Sequence, residues 1–127
     1  MEKANSYNFV HEGSWPVTSV VKAVSPEGEE PRELFRSPWP GFIPGNQGLE
    51  WTPDGRYLLV VRGSMSTEIG ELLRIPAQGG EVQTMGLTAK GLSSPSVRPD
   101  GKQLAYHAVS EASNEIWVIE NFLKPVK

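Results

Sequence analysis

The side chains best suited to acid–base chemistry or metal binding are two histidines, His11 and His107, which lie 96 positions apart. Neutral imidazole ligates transition metals, and histidine exchanges protons readily near neutral pH. A zinc site needs three or four ligands at characteristic spacing, and neither histidine has a third ligand at such a spacing. His107 follows Tyr106 in an apolar segment, so we expect its side chain to pack at a contact between sheets. The sequence predicts no metal site.

Two segments have the composition of a nucleophile turn or a phosphate loop. Ser64 and Ser66 lie in the segment GSMST, but the G-x-S-x-G spacing of a nucleophile elbow is absent. Gly79-Gly80 lacks the glycine spacing of a phosphate loop and the helix that such a loop precedes. We therefore expect a solvent-exposed loop at residues 63–67 and a hairpin turn at Gly79-Gly80. No catalytic residue and no cofactor are predicted.

The candidate ligand-binding or partner-binding residues are Trp39, Phe42, Arg62 and His107. Trp39 and Phe42 lie in RSPWPGFIPGNQG, residues 36–48, which contains three prolines and no regular pattern. Connections of this length often bind partners, although an aromatic side chain packed between sheets is the alternative. Arg62 ends an apolar run and could line the same face of the molecule.

Short, repeated elements must position these side chains, because the chain contains 13 Gly and 11 Pro. No segment of ten or more residues lacks Gly and Pro while showing a 3.6-residue apolar period, so helices are not expected. The segment WTPDGRYLLVV is nearly repeated as VRPDGKQLAYHA, 46 residues later. Two further matches give a period of about 44–51 residues, in the range of a four-stranded propeller blade. They align residues 70–80 with 114–124 and, more weakly, residues 19–35 with 71–85.

Local chemistry in both main copies favours a hairpin. In Thr52-Pro53-Asp54-Gly55, proline and aspartate suit the central positions of a type I turn, and glycine accepts the left-handed conformation that follows. Arg98-Pro99-Asp100-Gly101 repeats this pattern, so Asp54 and Asp100 are interpreted as turn residues and not as calcium ligands. The runs Tyr57–Val61 and Ile116–Ile119 are apolar at both parities, which predicts burial on both faces. Trp51 and Trp117 occupy repeat-defined positions and are expected in the core.

The two copies resemble the propeller blades of the TolB-like family, whose pattern is similar to W-S-P-D-G-K-x-[IL]-[AL]-[FY] followed by [IL]-[WY]-x-[VIM] and a Gly-Gly turn. The first copy matches at residues 51–60, 72–75 and 79–80, and the second at residues 99–106 and 116–119. The second copy departs from the pattern at Val97 and Arg98. The resemblance covers roughly residues 17–122. It implies a propeller fold and says little about activity, because such blades serve many unrelated functions.

The predicted fold is all-β, with about two and a half four-stranded antiparallel blades in a single partial propeller domain. The blades are expected at about residues 7–35, 48–86 and 96–122. Closed propellers have about four to eight blades. Either a longer parent protein supplies the missing blades, or copies of the chain assemble. Two chains of three blades would form a six-bladed ring, the number that the resemblance implies, so a homodimer is favoured.

Strands A to D of a blade run outward from the ring axis. Strands B, C and D of the first blade are predicted at residues 7–11, 19–24 and 32–35, with no strand A. The four strands of the middle blade are predicted at residues 49–52, 56–62, 71–75 and 82–85. Strands A, B and C of the last blade are predicted at residues 96–98, 102–108 and 115–120.

Composition excludes several classes of function. The net charge is −3 and no run of Lys or Arg exceeds a pair, so no nucleic-acid partner is expected. There is no Cys, and no apolar run approaches the length of a membrane span. The N-terminus has no apolar signal segment, which predicts a cytoplasmic protein unless a longer exported parent places it in the periplasm.

The sequence favours a non-catalytic scaffold that presents loops to a protein or small-molecule partner. The alternative is an accessory or substrate-gating propeller part of a larger peptidase-like or glycosidase-like enzyme, whose catalytic residues lie outside this chain. Acidic or histidine side chains converging on the axis from several blades would favour the enzymatic alternative.

Overall fold

The computed structural model describes the backbone of residues 7–12 and the whole of residues 18–44, 48–64, 66–111 and 113–122. The regular elements in these ranges are strands, which confirms the all-β prediction. In chain order they are Tyr7–Glu12 (β1), Thr18–Ala23 (β2), Arg32–Pro38 (β3), Gly41–Phe42 (β4), Leu49–Trp51 (β5), Tyr57–Ser64 (β6), Ile69–Pro76 (β7), Gln83–Lys90 (β8), Ser93–Val97 (β9), Gln103–Ser110 (β10) and Ser113–Glu120 (β11).

The strands form three antiparallel sheets in which chain neighbours pair. Sheet 1 has the order β1-β2-β3, and sheet 3 has the order β9-β10-β11. In sheet 2, β6, β7 and β8 follow one another, while β4 and β5 both pair with the inner edge of β6. The pairing order β5-β6-β7-β8 in sheet 2 is the order predicted for strands A to D of a blade. Among the described residues, sheet 1 has no strand A and sheet 3 has no strand D.

The Pro-Asp-Gly turns form as their sequence predicts. The Gly55 amide donates to the Thr52 carbonyl, and Gly55 has a φ of +73°. In the second copy the Gly101 amide donates to the Arg98 carbonyl, with a φ of +76° at Gly101. A positive φ is readily available only to glycine, so both hairpins depend on this residue type.

The sheets pack face to face through two apolar cores. One core lies between sheets 1 and 2, and the other lies between sheets 2 and 3. Alternate residues of β6 supply them: Leu58 and Val60 enter the first core, and Leu59 and Val61 enter the second. Both pairs are fully buried, which confirms that the run Tyr57–Val61 is covered on both faces.

The structure differs from the sequence-based expectations at several places. The connection at residues 36–48 was predicted to be irregular, but β3 extends to Pro38 and Gly41–Phe42 forms β4. Strand β8 extends to Lys90, beyond the predicted end at Met85. The prediction that Ile116–Ile119 is buried on both faces, with Trp117 in the core, is wrong: Trp117 is 53% exposed, and Ile116 and Val118 are more exposed still.

Candidate functional site

Phe42 is held at the end of sheet 2 by the pairing of β4 with β6. In this register Gly41 is opposite Ser64, and Phe42 is opposite Gly63. Cross-strand partners share one face of a sheet, so the Phe42 ring lies over Gly63. A Cβ atom at Gly63 would lie 3.0 Å from two carbons of this ring, so only glycine leaves the ring its present position.

Trp39 lies in the turn between β3 and β4, directly before a cis peptide bond to Pro40. Its ring centroid is 6.5 Å from that of Phe42, with the two planes tilted by 35°. Such tilted aromatic pairs are a favourable arrangement because ring edges carry partial positive charge and ring faces partial negative charge. Both side chains are half-buried and reach solvent.

Arg62 lies at the same end of sheet 2, on the opposite face of β6 from Phe42, since strand side chains alternate between faces. Its guanidinium donates two hydrogen bonds to the Glu71 carboxylate, the one from Nε being 3.0 Å long. The same group lies 6.0 Å from the centroid of the Phe35 ring in sheet 1. A Cβ atom at Gly41 would lie 2.7 Å from Ser37 Oγ, so the glycine leaves room for that hydroxyl group. Because Glu71 neutralises Arg62, this end of the sheet carries polar groups without a strong net charge.

Two shallow clefts flank the end of β6, and we call them together the end cleft. The inner one, of about 260 Å³, is lined by Phe42, Gly63 and Ser64 and by residues after β8, including Ser93. The outer one, of about 350 Å³, is lined by Arg62 and Glu71 and also reaches Gly63 and Ser64. The end cleft therefore contains the Phe42 ring, the Arg62–Glu71 ion pair and the hydroxyl groups of Ser64 and Ser93, and Gly63 lines both of its parts.

His107 does not join Trp39, Phe42 and Arg62, because it lies on β10 in sheet 3. Its Nε2 lies 3.1 Å from the Asn114 side-chain oxygen, and its Nδ1 lies 3.3 Å from Ser93 Oγ. Ser93 also lines the inner part of the end cleft, so it lies between His107 and that cleft. Among the residues that the structure describes, the imidazole contacts an amide and a hydroxyl group and no carboxylate.

Asp54 and Asp100, which the sequence analysis also considered, form hydrogen bonds within their own turns. The Asp54 carboxylate accepts hydrogen bonds from the Thr52 hydroxyl, at 2.7 Å, and the Arg56 amide, at 3.0 Å. These bonds, the one from Thr52 foremost, hold the pKa of Asp54 below its ordinary value. The Asp100 carboxylate accepts a hydrogen bond from the Lys102 amide at 2.9 Å. Both aspartates hold their turns, as predicted.

Ser64 and Ser66 are joined by their hydroxyl oxygens at 2.9 Å, but Ser64 belongs to β6 and not to a loop. Gly79 and Gly80, with φ of +93° and +120°, form the turn between β7 and β8, as predicted. The side chain of His11 lies outside the described residues.

Sequence reasoning missed Glu50, which lies on β5, the innermost strand of sheet 2. Burial raises the pKa of its carboxyl group above the ordinary glutamate value. The signal in the sequence was its position beside Trp51, before the Pro-Asp-Gly turn, on the strand predicted to lie nearest the ring axis.

Over residues 18–44, 48–64, 66–111 and 113–122, no three His, Asp or Glu side chains are grouped to hold a metal ion. A search of the described residues finds no helix that is long and apolar enough to cross a membrane.

Comparison with known proteins identifies the architecture. No family model matches the sequence. No curated protein matches it either. Among solved structures, the chain is similar to TolB from Acinetobacter baumannii, with a TM-score of 0.64 and 24% identity, over 80% of this chain. TolB is a β-propeller, so the three sheets are partial propeller blades. The chain spans 24% of the length of that TolB chain.

Proposed function

We propose that this chain is a non-catalytic propeller scaffold that binds a protein or small-molecule partner at the end cleft. The observation that carries the proposal is the position of Phe42 and Arg62 on the two faces of β6 beside Gly63, with the Trp39 ring next to Phe42, at one end of sheet 2. Loops at the ends of rigid blades commonly bind partners, since the sheets hold them in fixed positions. We assign Trp39, Phe42, Arg62 and His107 to this site. The contribution of His107 is indirect, because its ring contacts the hydroxyl group of Ser93, which lines the cleft.

The chemistry of the end cleft favours a neutral, partly apolar ligand. The Phe42 ring offers apolar surface, with the Trp39 ring beside it, and Ser64 and Ser93 offer hydroxyl groups that can donate or accept. Arg62 is already bonded to Glu71, so an anionic ligand would have to compete with that carboxylate. A short peptide with an aromatic or aliphatic side chain fits these requirements better than a phosphate or a polyanion.

The surroundings of His107 and Glu50 support a non-catalytic role. A histidine that acts as a general base is usually oriented by a carboxylate, whereas His107 is held by Asn114 and Ser93. Glu50 has the raised pKa that a general acid needs, but within the described residues its carboxyl group has no hydrogen-bond or ion-pair partner. A separate catalytic domain would have to supply the reactive groups of an enzymatic assembly.

The chain is proposed to act as one partial-propeller domain within a larger ring. Three sheets cannot enclose an axis, and closed propellers contain about four to eight blades. The remaining blades come from a second copy of the chain or from a longer parent protein.

A nuclear magnetic resonance titration tests the binding proposal. A panel of short peptides with aromatic, aliphatic or charged side chains is added to labelled protein, and amide shifts are followed. Peptides with apolar side chains should shift Gly63, Ser64 and the Trp39 indole resonance. Arg62→Ala and Gly63→Val should each weaken binding about tenfold, the loss of one good contact.

Gln78→Ala is the matched control, because Gln78 is exposed in the turn at the opposite end of sheet 2. It should leave the affinity unchanged. Shifts that cluster instead at the turns around Pro53 and Pro99, with no effect of Arg62→Ala, would contradict the assignment of the site.

A further inference from the structure

A further cleft lies at the opposite end of sheet 2 from the end cleft, beside the turns that follow β5 and β7. We call it the turn cleft. It has a volume of about 490 Å³ and is lined by residues 54–57 of the first turn, residues 76–78 of the second and Gln83 at the start of β8. A backbone hydrogen bond joins the two turns, from the Ala77 amide to the Arg56 carbonyl over 2.8 Å.

Tyr57 supplies the aromatic part of the lining, and two further side chains hold it in place. The Cζ atom of Arg74 lies 4.4 Å from the centroid of the Tyr57 ring, which is a cation–π contact. The Arg74 guanidinium donates two hydrogen bonds to Gln83 Oε1, the one from Nε being 2.9 Å long. Arg74 is itself only 8% exposed, so this row of three side chains is anchored in the sheet.

The polar groups that line the turn cleft keep unused hydrogen-bonding capacity. The hydrogen bonds from Thr52 and from the Arg56 amide both end at Asp54 Oδ1, which leaves Oδ2 without a partner among the residues that the structure describes. Within the same part of the chain, the Arg56 guanidinium and the Gln78 amide form no hydrogen bond or ion pair. The NH₂ group of Gln83 is also available, because the bonds that Gln83 forms use its oxygen. The turn cleft therefore offers a carboxylate acceptor beside several donors.

This combination discriminates between classes of ligand. A phosphate or a carboxylate only accepts hydrogen bonds and would meet the Asp54 carboxylate, whereas an ammonium group only donates and would meet the Arg56 guanidinium. A hydroxyl group can donate to Asp54 and accept from Arg56 at once, and neighbouring hydroxyl groups match the planar fork of a guanidinium. The C–H face of a pyranose ring packs favourably on an aromatic ring such as that of Tyr57, because the ring face carries partial negative charge.

We propose that the turn cleft binds a neutral saccharide, with Asp54, Arg56, Gln78 and Gln83 bonding its hydroxyl groups beside the Tyr57 ring. The expected dissociation constant is about 1 mM, since each hydrogen bond in a water-exposed cleft contributes little. The turn cleft is separate from the end cleft, and its ligand differs in chemical class from the apolar peptides expected there. Either proposal can therefore fail alone.

A nuclear magnetic resonance titration with defined sugars tests the proposal. Maltose, cellobiose and N-acetylglucosamine are each added to labelled protein, and the backbone amide of Gly55 and the side-chain amides of Gln78 and Gln83 are followed. At least one of the three sugars should give saturable shifts at these resonances. Inorganic phosphate and triglycine at the same concentration should give none, because the first only accepts hydrogen bonds and the second has no adjacent hydroxyl groups.

Exposed side chains allow the contacts to be removed without disturbing the core. Arg56→Ala should raise the dissociation constant about tenfold, the loss of a charged hydrogen bond, and Gln78→Ala about fivefold, the loss of a neutral one. Lys102→Ala is the matched control, because Lys102 takes the position of Arg56 in the second Pro-Asp-Gly copy and is exposed outside the turn cleft. It should leave the affinity unchanged. Arg56→Lys should recover little of the loss, since an ammonium group lacks the planar fork.

Three results would overturn the proposal. The first is the absence of saturable shifts with all three sugars. The second is an equal loss of affinity for Arg56→Ala and Lys102→Ala, which would place the sugar elsewhere. The third is a response to inorganic phosphate alone, which would make the turn cleft an anion site.

Discussion

Replacing Thr52 by valine tests whether buried polar contacts hold the turn between β5 and β6. Thr52 is 2% exposed, and its hydroxyl donates to the Asp54 carboxylate over 2.7 Å. The same oxygen accepts a hydrogen bond from the Tyr57 amide over 3.1 Å. Valine keeps the shape of threonine but removes the hydroxyl, so the Tyr57 amide loses this partner.

The two lost bonds set the expected magnitude. A hydrogen bond to a charged group contributes about 1.5–3 kcal/mol and a neutral one about 1 kcal/mol, but the exposure of Asp54 to water reduces the first. We therefore expect Thr52→Val to lower the free energy of unfolding by about 2 kcal/mol. For a domain of this size that corresponds to a fall in Tm of roughly 8 °C. Urea denaturation at neutral pH measures the first quantity and calorimetry the second.

A double-mutant cycle with Asp54→Ala isolates the hydroxyl–carboxylate contact. The double variant should lose less stability than the sum of the single variants by about 0.5–1 kcal/mol. The lowered pKa of Asp54 means that the folded state binds the proton more weakly than the unfolded state. This stabilisation is present above the ordinary aspartate pKa and is lost as the pH falls through the folded-state value. The difference between the wild type and Thr52→Val should therefore narrow in acid.

The repeat supplies the control for this experiment. Arg98 takes the position of Thr52 in the second copy and forms an exposed ion pair with Asp100 over 3.2 Å. Such pairs contribute little, so Arg98→Val should cost no more than about 0.5 kcal/mol. Equal losses for Thr52→Val and Arg98→Val, or a cycle without coupling, would refute the assigned role of the hydroxyl.

Two further substitutions test the packing and the electrostatics of sheet 2. Gly70→Ala should destabilise the fold by about 1–3 kcal/mol in urea denaturation, because its Cβ atom would lie 3.0 Å from Leu92 Cβ and 3.3 Å from Val61 Cγ1. Glu50→Gln should raise Tm at neutral pH, since the wild type loses stability as the pH rises through the elevated pKa of Glu50. That gain should vanish below the ordinary glutamate pKa, and a constant difference across the pH range would contradict the burial of the charge.

The features predicted correctly from the sequence are those that local chemistry determines. Pro53, Asp54 and Gly55 each suit one position of the turn, so the hairpin follows from adjacent residues alone. The apolar run of β6 predicts burial on both faces because its residues must alternate between two cores. The order of strands within each sheet follows from these repeated units, whereas several strand ends do not.

Strand β4 could not be predicted, because it depends on a partner distant in sequence. Gly41 and Phe42 form a strand only through pairing with Ser64 and Gly63, and no alternating pattern marks so short a segment. The same pairing creates the end cleft, so the placement of Phe42 over Gly63 was beyond sequence reasoning too. Arg62 was predicted near Phe42 from its position at the end of β6, but its ion pair with Glu71 depends on the register of β6 and β7.

Trp117 shows why a repeat predicts a position better than it predicts burial. Leu73, at the matching position in sheet 2, is 2% exposed, and Trp117 is 53% exposed. Both lie on the third strand of their sheets, but β8 pairs with the outer edge of β7, whereas no described strand pairs with the outer edge of β11. The burial of a residue depends on the strands and sheets beside it as well as on its position in the repeat. Exposure at a position that the repeat elsewhere buries therefore reflects the absence, among the described residues, of a strand beside β11.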